Sequence, residues 1–401
     1  MVTNTQSTDT FQTNPGVDGI DFDQINETWI IGSPADMNVH VLSQSGNGIF
    51  SDYANSVVVN HGQIYGTGSL ILSGYGNDGV GVNLQDNATD TGGNGNGTVI
   101  NAAGAQIFGL EAGVQMWDHG TNIITNYGAI VGGYQDDVLF ISGASNELNN
   151  YGEIYGGDDA VDVATDPNVV TDIHNAKGGV ILGGFLQSGD GAPIAITVES
   201  GNLHLTNDGT IIGYVEDLSG SGNDVIINRG RIKGTVALYG RHDIFNGTGG
   251  HSGAIDCGSG NDVVDAGLGR VTIYVGTGNN LLTAGPGHDK FFFAFKPAGQ
   301  VDEIDKFNPS LDKIVLSESA FAGLGPLGPG HFSIGSPGGR AITSPLIVYN
   351  PSDGFLYYEH HPLLGQPGVV HFATLTTHSI VDNHVVTTHP LISNADILLE
   401  A

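Results

Sequence analysis

CGSGNDVVD-AGLGRVTIY-VGTGNNLLT-AGPGHDKFF, residues 257–292, divides into four consecutive segments of nine residues. The second and fourth residues of every segment are glycine, and the eighth is apolar or aromatic. A dinucleotide-binding loop also contains a G-x-G, but it occurs once and leads into a long helix. Here the turn recurs and no helical periodicity follows it. The spacing predicts glycine turns that alternate with short strands and stack on one another.

The sixth position of the nine-residue frame is acidic in several copies. The segments SGSGNDVII (219–227) and LYGRHDIFN (238–246) extend the frame upstream, the second one loosely. Asp224, Asp243 and Asp262 are 19 residues apart, and Asn280 follows 18 residues later. One coil per step would place these side chains above one another. Calcium takes six to eight hard oxygen ligands, and glycine lets backbone carbonyls approach an ion closely. The pattern therefore predicts Ca²⁺ between successive turns.

A second repeat, N-x-G-x-[IV]-x-G, fills the preceding part of the chain. It starts at Asn60, Asn126, Asn150, Asn207 and Asn228, and in longer forms at Asn101 and Asn175. Apolar runs such as SVVVN and NIITN lead into it; each is too short for an isolated strand pair but suits a stacked parallel sheet. Asparagine at the corner is expected to form a ladder from coil to coil. A β-sandwich is the alternative, but it gives no reason for a recurring heptapeptide.

These repeats predict an all-β fold: a right-handed parallel β-solenoid followed by a β-rich C-terminal domain. The expected divisions are a leader and cap at 1–44, β-helix repeats at 45–218, calcium-binding turns at 219–292 and a capping domain at 293–401.

The charge of the chain is strongly negative. It has 42 acidic residues against 11 Lys and Arg, and the first basic side chain is Lys177. Such a surface repels nucleic acid and anionic membranes and attracts multivalent cations, although acidity can also serve solubility alone. Cys257 is the only cysteine, so no intramolecular disulfide can form. No 18-residue apolar run predicts a membrane span, and no N-terminal signal peptide is recognisable.

The nine-residue segments resemble the RTX (hemolysin-type) nonapeptide G-G-x-G-x-D-x-U-x, in which each ion lies between loops two nonapeptides apart. The resemblance implies a Ca²⁺ ligand role for Asp224, Asp243, Asp262 and Asp289, with loop positions at Gly222, Gly258, Gly260, Gly276, Gly278, Gly285 and Gly287. Val271 and Asn280 depart from the ligand position, and Arg241 replaces a loop glycine. The side carrying Asp224, Asp243 and Asp262 is therefore expected to bind better than the Val271–Asp289 side.

The C-terminal segments VDEIDKFNPSLDKIVLSESAF (301–321) and ISNADILLEA (392–401) resemble the terminal domain of the same exported proteins, serralysin-type proteases included. In that family the last segment is an uncleaved signal for a one-step (type I) exporter. The N-terminal repeats resemble β-helix repeats of autotransporters and adhesins. The resemblances imply a secreted, extracellular protein that folds on Ca²⁺, with the type I secretion machinery as a partner and extracellular polysaccharide or a cell surface as a further one.

Catalysis is not expected. The H-E-x-x-H string of a zinc protease does not occur. The alternative is a polysaccharide lyase, hydrolase or epimerase, because Asp137 and Asp159 on neighbouring coils could stand at the separation that retaining glycosidases use. Any acidic ladder would show the same spacing, however, so the favoured interpretation is a structural or adhesive calcium-binding protein.

Overall fold

A computed structural model describes residues 2–14, 17–68, 79–86, 95–133, 138–184, 192–325, 327, 330–338, 344–360, 368–381 and 384–400. The chain divides into two compact units. Unit 1 comprises Met1–Gly222 and Arg229–Gly234, and unit 2 comprises Asn223–Asn228 and Thr235–Ala401. Within the described ranges the single helical element is a 3₁₀ turn, Asn394–Asp396, and no helix is long and apolar enough to cross a membrane.

The strands of unit 1 are short, three to seven residues in most cases. They are β1 (Val2–Gln6), β2 (Thr10–Gln12), β3 (Ile20–Asp21), β4 (Glu27–Ile31), β5 (His40–Ser43), β6 (Ile49–Ser51), β7 (Ser56–Asn60), β8 (Gln63–Gly66), β9 (Val82–Gln85), β10 (Gly97–Asn101), β11 (Gln106–Gly109), β12 (Val114–Trp117), β13 (Thr121–Asn126), β14 (Ala129–Gly132), β15 (Val138–Phe140), β16 (Ser145–Asn150), β17 (Glu153–Tyr155), β18 (Val161–Ala164), β19 (Val170–Asn175), β20 (Val180–Leu182), β21 (Ile194–Ser200), β22 (Asn202–Asn207), β23 (Thr210–Ile212), β24 (Tyr214–Asp217) and β26 (Arg231–Ile232).

Unit 2 contains the remaining strands. They are β25 (Val225–Asn228), β27 (Val236–Ala237), β28 (Gly240–Arg241), β29 (Ile244–Asn246), β30 (Ile255–Asp256), β31 (Ser259–Gly260), β32 (Val263–Asp265), β33 (Thr272–Tyr274), β34 (Leu281–Thr283), β35 (Lys290–Phe293), β36 (Asp302–Asp305), β37 (Lys313–Ser317), β38 (Phe332–Ile334), β39 (Leu346–Asn350), β40 (Phe355–Glu359), β41 (Val369–Val381), β42 (His384–Thr388) and β43 (Ile397–Glu400).

Unit 1 is a three-sheet parallel solenoid in which each coil supplies one strand to every sheet. The first sheet runs from β1 through β4, β7 and β10 to β22, the second from β2 through β5 and β8 to β26, and the third from β3 through β6 and β9 to β24. Period-2 alternation turns every second side chain inward, where apolar residues stack and are fully buried. The parallel solenoid expected from the repeats is confirmed. Strands β1–β5, which lie within residues 1–44, belong to the same sheets.

The corner asparagines form the expected ladder. Each of Asn60, Asn101, Asn126, Asn150 and Asn175 is fully buried and donates its amide N–H to the side-chain oxygen of the asparagine one coil further on, at 2.8–2.9 Å. The same amide group also donates to a backbone carbonyl of that coil. The ladder satisfies backbone and side-chain groups that would otherwise be buried without partners.

Unit 2 begins as a two-sheet roll. One parallel ladder joins β25, β29, β32, β34, β36 and β41, and the other joins β27, β30, β33, β35, β37 and β43. The C-terminal segments thus continue the two sheets that the nonapeptides begin. Antiparallel pairing follows at β39–β40, β40–β41 and β41–β42. The domain divisions at 45, 219 and 293 stay predictions.

Candidate metal centre

The glycine turns of the roll stack so closely that a side chain has no room. Gly258, Gly260, Gly276 and Gly278 all have positive φ, between 67° and 148°. A Cβ built on Gly260 would overlap the carbonyl oxygen of Arg241 one coil earlier, and one built on Gly278 would overlap that of Gly260. Backbone carbonyls of one turn therefore lie directly against the α-carbons of the next. This close approach is the physical reason for glycine at the second and fourth positions.

The last copy differs in its backbone. Gly285 and Gly287 are absent from the residues with positive φ, yet a Cβ on either would still overlap a carbonyl oxygen of the preceding turn. The loosely matching segment 238–246 keeps the frame with other residues, because Tyr239 and Arg241 take φ values of 60° and 79°. Gly222 is the last residue before unit 2 begins, and its ligand role stays a prediction.

The acidic residues of the first edge of the roll form one column. Asp224, Asp243 and Asp262 are each no more than 2 % exposed. An Oδ1 of each later residue accepts the backbone N–H of the equivalent residue one coil earlier: Asp243 from Asp224 at 2.7 Å, and Asp262 from Asp243 at 2.9 Å. Asn280 continues the column by accepting the N–H of Asp262 at 2.9 Å. The 19- and 18-residue spacing thus places these side chains above one another, as expected.

A second column stands at the other edge. Asp289 Oδ1 accepts the N–H of Val271 at 3.0 Å, and its Oδ2 accepts that of Gly285 at 2.9 Å. Asp312 then accepts the N–H of Asp289 at 3.0 Å with Oδ1 and that of Asn308 at 2.8 Å with Oδ2. Each of the two carboxylates on this side therefore has a hydrogen bond at both oxygens.

The two columns differ in whether both oxygens of a carboxylate have a hydrogen-bond partner. Asp262 Oδ2 is buried and has no hydrogen-bond partner. Burial raises the pKa of Asp262 from 3.8 to about 6, so ionisation there is unfavourable without a compensating positive charge. An orphaned carboxylate oxygen beside stacked backbone carbonyls is a donor set that suits a hard cation. The residues present fit calcium on the first edge, where Asp243, Asp262 and the glycine-turn carbonyls would hold it.

Across the described ranges, no group of three or more His, Cys, Asp or Glu side chains converges on one point. A centre in the roll must therefore draw on carbonyl oxygens as well as carboxylates. Cys257 lies buried close to this column and does not offer a thiolate, since burial foremost, and then the charge of Asp262, raises its pKa.

Two acidic residues of the columns were missed at the level of sequence. Asp302 Oδ1 accepts the N–H of Asn280 at 2.9 Å and its amide at 2.8 Å, and Asp312 extends the second column. Both lie beyond the nonapeptides, 22 and 23 residues after the equivalent position. The strings DEI at Asp302 and DKI at Asp312 keep the acidic-x-apolar core of the repeat, and that signal could have identified them. Burial raises the pKa of Asp302 to about 7.

The carboxylate pair considered for glycan chemistry is described only in part. Asp137 lies outside the described residues. Asp159 Oδ2 accepts a hydrogen bond from Thr197 Oγ1 at 2.5 Å, and burial raises the pKa of Asp159 to about 6.

Comparison with known proteins agrees with the geometry of the roll. The family model described as the RTX calcium-binding nonapeptide repeat matches residues 258–291, with four copies. No curated protein matches the chain. RTX nonapeptide repeats of the hemolysin type bind calcium, and the cofactor expected from the spacing of glycine and aspartate is confirmed.

Proposed function

We propose that this chain, whose residues 258–291 are RTX calcium-binding repeats, is a secreted extracellular protein with a structural or adhesive role. It leaves the cell by one-step (type I) export and folds on Ca²⁺ outside. The observation that supports this most directly is the buried column of Asp224, Asp243 and Asp262, in which Asp262 Oδ2 has no partner.

The mechanism couples ion binding to folding of the roll. Inside the exporting cell Ca²⁺ is scarce, so carboxylates stacked at the coil spacing repel one another and the closed turns are destabilised. Extracellular modules bind Ca²⁺ with dissociation constants on the order of 10⁻⁴–10⁻³ M, which suits the medium outside. An ion that binds only the folded form stabilises that form by mass action.

The test compares the full chain with and without Ca²⁺ by circular dichroism and thermal melting. We expect Ca²⁺ at millimolar concentration to increase β-sheet signal and raise the Tm, and Mg²⁺ at the same concentration to do so far less. An unchanged spectrum and Tm would contradict the proposal.

The adhesive role is supported by a groove on the outer face of the second sheet of unit 1. Tyr127 and Tyr151 stand at successive corners, 47 % and 44 % exposed, with their rings stacked at a centroid distance of 4.8 Å. The groove beside them is lined further by Gln106, Glu153 and Tyr155. Flat aromatic rings flanked by hydrogen-bonding side chains suit sugar rings. Because the chain carries a net charge of −31 and Glu153 lines the groove, an uncharged glycan fits better than a polyanion.

Glycan binding is tested by co-sedimentation with insoluble neutral polysaccharides and by glycan-array screening. We expect the double variant Tyr127→Ala/Tyr151→Ala to lose binding, whereas Phe295→Ala, which removes a ring 55 % exposed in unit 2, keeps it. Binding that survives the double variant, or that is confined to acidic polymers, contradicts this assignment.

A second candidate function is a carbohydrate-active lyase, hydrolase or epimerase, favoured by one observation. The pKa of Asp159, raised to about 6, would let that carboxyl group donate or accept a proton near neutral pH. Incubation with a panel of acidic polysaccharides and Ca²⁺ would reveal new reducing ends or unsaturated products, and Asp159→Asn should abolish them. We expect no products, since a structural role needs no catalysis.

A further inference from the structure

A polar column in unit 1 is interrupted at one coil. Ser56, Gly97, Asn122, Asn146 and Thr171 occupy equivalent places on successive strands of the first sheet. The amide of Asn122 donates to Asn146 Oδ1 at 2.9 Å, and that of Asn146 donates to Thr171 Oγ1 at 3.4 Å. Donation therefore runs toward the later coils, and Asn122 Oδ1 needs a donor from the coil before it. Gly97 has no side chain to provide one.

The space next to Asn122, where Gly97 has no side chain, contains a second acceptor, a carboxylate oxygen of Asp118, instead of a donor. Asp118 Oδ2, the Cε methyl group of Met116 and Asn122 Oδ1 all lie within 3.3 Å of the position that a Cβ of residue 97 would occupy. Asp118 and Asn122 are fully buried. Both carboxylate oxygens of Asp118 and the side-chain oxygen of Asn122 lack hydrogen-bond partners. Three buried acceptor oxygens with no donor are unfavourable unless a proton or a cation lies among them.

A second carboxylate adds to the negative charge. Asp86 has a fully buried side chain; its Oδ2 accepts the N–H of Gly95 at 2.8 Å and its Oδ1 contacts His119 Nδ1. The negative charge of Asp86 acts on Asp118 in the same direction as burial, and together they raise the pKa of Asp118 to about 7. The half-exposed ring of His119 partly offsets this charge, so the pair of carboxylates still lacks a full counter-charge.

We propose that Asp118 and Asn122, with Asp86 nearby, form a calcium-binding site in unit 1, separate from the nonapeptide turns. All three side-chain atoms that lack a hydrogen-bond partner are oxygens, the ligand type that Ca²⁺ prefers. Amide oxygens join carboxylates in binding sites for this ion. Among the described residues no three His, Cys, Asp or Glu side chains converge on one point, so the site would have to draw on amide oxygen as well as carboxylate. The proposal does not rest on the calcium-binding function of the roll.

The first experiment uses Tb³⁺, a luminescent substitute for Ca²⁺, and the tryptophan next to the site. The chain has only two tryptophans, one of them Trp117, and unit 2 has none. Excitation at the red edge of the tryptophan band should therefore report Tb³⁺ near Trp117 or Trp29, and the variant Trp117→Phe distinguishes the two. We expect sensitised emission that excess Ca²⁺ displaces, that Trp117→Phe removes and that Asp262→Asn keeps.

Asp118→Asn is the central variant, because it preserves the shape of the side chain and mimics a protonated carboxyl group. We expect it to lose the sensitised emission and to bind one Ca²⁺ fewer than the wild type by native mass spectrometry. If Asp118→Asn keeps the emission and the full number of ions, the site holds only a proton and the proposal is wrong.

Asn122→Asp provides a test that does not depend on the folding of Asp118→Asn. With a cation in the site, the added carboxylate should raise Ca²⁺ affinity, by roughly tenfold, and enlarge the Ca²⁺-dependent rise in Tm. In either case the variant loses the hydrogen bond that the Asn122 amide donates to Asn146, so its Tm without Ca²⁺ should fall. Without a cation in the site, the Ca²⁺-dependent rise in Tm should stay unchanged. The second result would overturn the proposal.

Discussion

At the scale of single residues, the roll depends on which carboxylate oxygens have a donor. Asp289 has a backbone N–H at both oxygens, whereas Asp262 has one at Oδ1 and none at Oδ2. The edge with the orphaned oxygen is the one that the ligand pattern favoured, because it retains acidic residues at three successive coils. Asn280 departs from the ligand position only after three acidic coils of the first edge, whereas Val271 occupies that position immediately before Asp289 on the second edge.

The substitution Asp262→Asn tests this distinction. The amide oxygen can still accept the N–H of Asp243, but the ligand charge is lost. We expect at least tenfold weaker Ca²⁺ binding, which corresponds to about 1.4 kcal/mol less Ca²⁺-dependent stability. Calcium titrations followed by the Tm measure it. The matched control Asp21→Asn removes an exposed carboxylate and should leave the Ca²⁺ response unchanged; equal responses in the two variants would show that Asp262 is not a ligand.

At the scale of elements, the asparagine ladder holds the corners of the solenoid. Asn126 donates to Asn150 and to the carbonyl of Glu153, and it accepts from Asn101 and from the N–H of Gly128. One side chain thus connects three coils, and all of these groups are buried or half-buried. Removing it leaves several donors and acceptors without partners at once.

We therefore expect Asn126→Ala to lower the free energy of unfolding by about 3 kcal/mol or more. Urea denaturation of the full chain measures the change, with Asn149→Ala as control because that side chain makes one hydrogen bond, to Glu147, at the surface. A loss below about 1 kcal/mol would mean that water replaces the ladder bonds at little cost.

At the scale of the whole molecule, the excess of 31 negative charges makes stability depend on pH and on divalent ions together. Burial raises the pKa of Asp262 to about 6 and that of Asp302 to about 7, from 3.8 in each case. Folded protein without metal therefore binds more protons than unfolded protein between about pH 4 and about pH 7. The contribution of these groups to stability is full below this window and is lost as the pH rises through it.

Without Ca²⁺ we expect the urea midpoint to fall between about pH 5 and about pH 7.5, and saturating Ca²⁺ to abolish or reverse the fall because the ion binds the ionised carboxylates. Asp302→Asn should flatten the profile measured without Ca²⁺. A profile that rises with pH in the absence of divalent ions would contradict the assignment of these buried carboxyl groups.

The stacking of side chains in the roll was predictable from the sequence because its coils have a nearly constant length. Where the chain returns every 18 or 19 residues, a sequence interval equals one step along the stack, so the column of Asp224, Asp243 and Asp262 follows from spacing alone. The steps of the ladder from Asn60 to Asn207 vary between 24 and 41 residues, so this ladder follows from the recurring heptapeptide instead. Their chemistry follows too, because repetition places like groups at van der Waals distance and requires hydrogen bonds or a cation between them.

The tertiary structure decided the contacts that lie outside the register of the repeats. Asp302 and Asp312 join the columns only after longer connections, of 22 and 23 residues. The gap at Gly97 is visible only when Asp118 and Asn122 are seen to meet there. The number of residues between repeats gives the position of a residue along a regular stack. The direction in which its side chain points depends on packing, which that number does not determine.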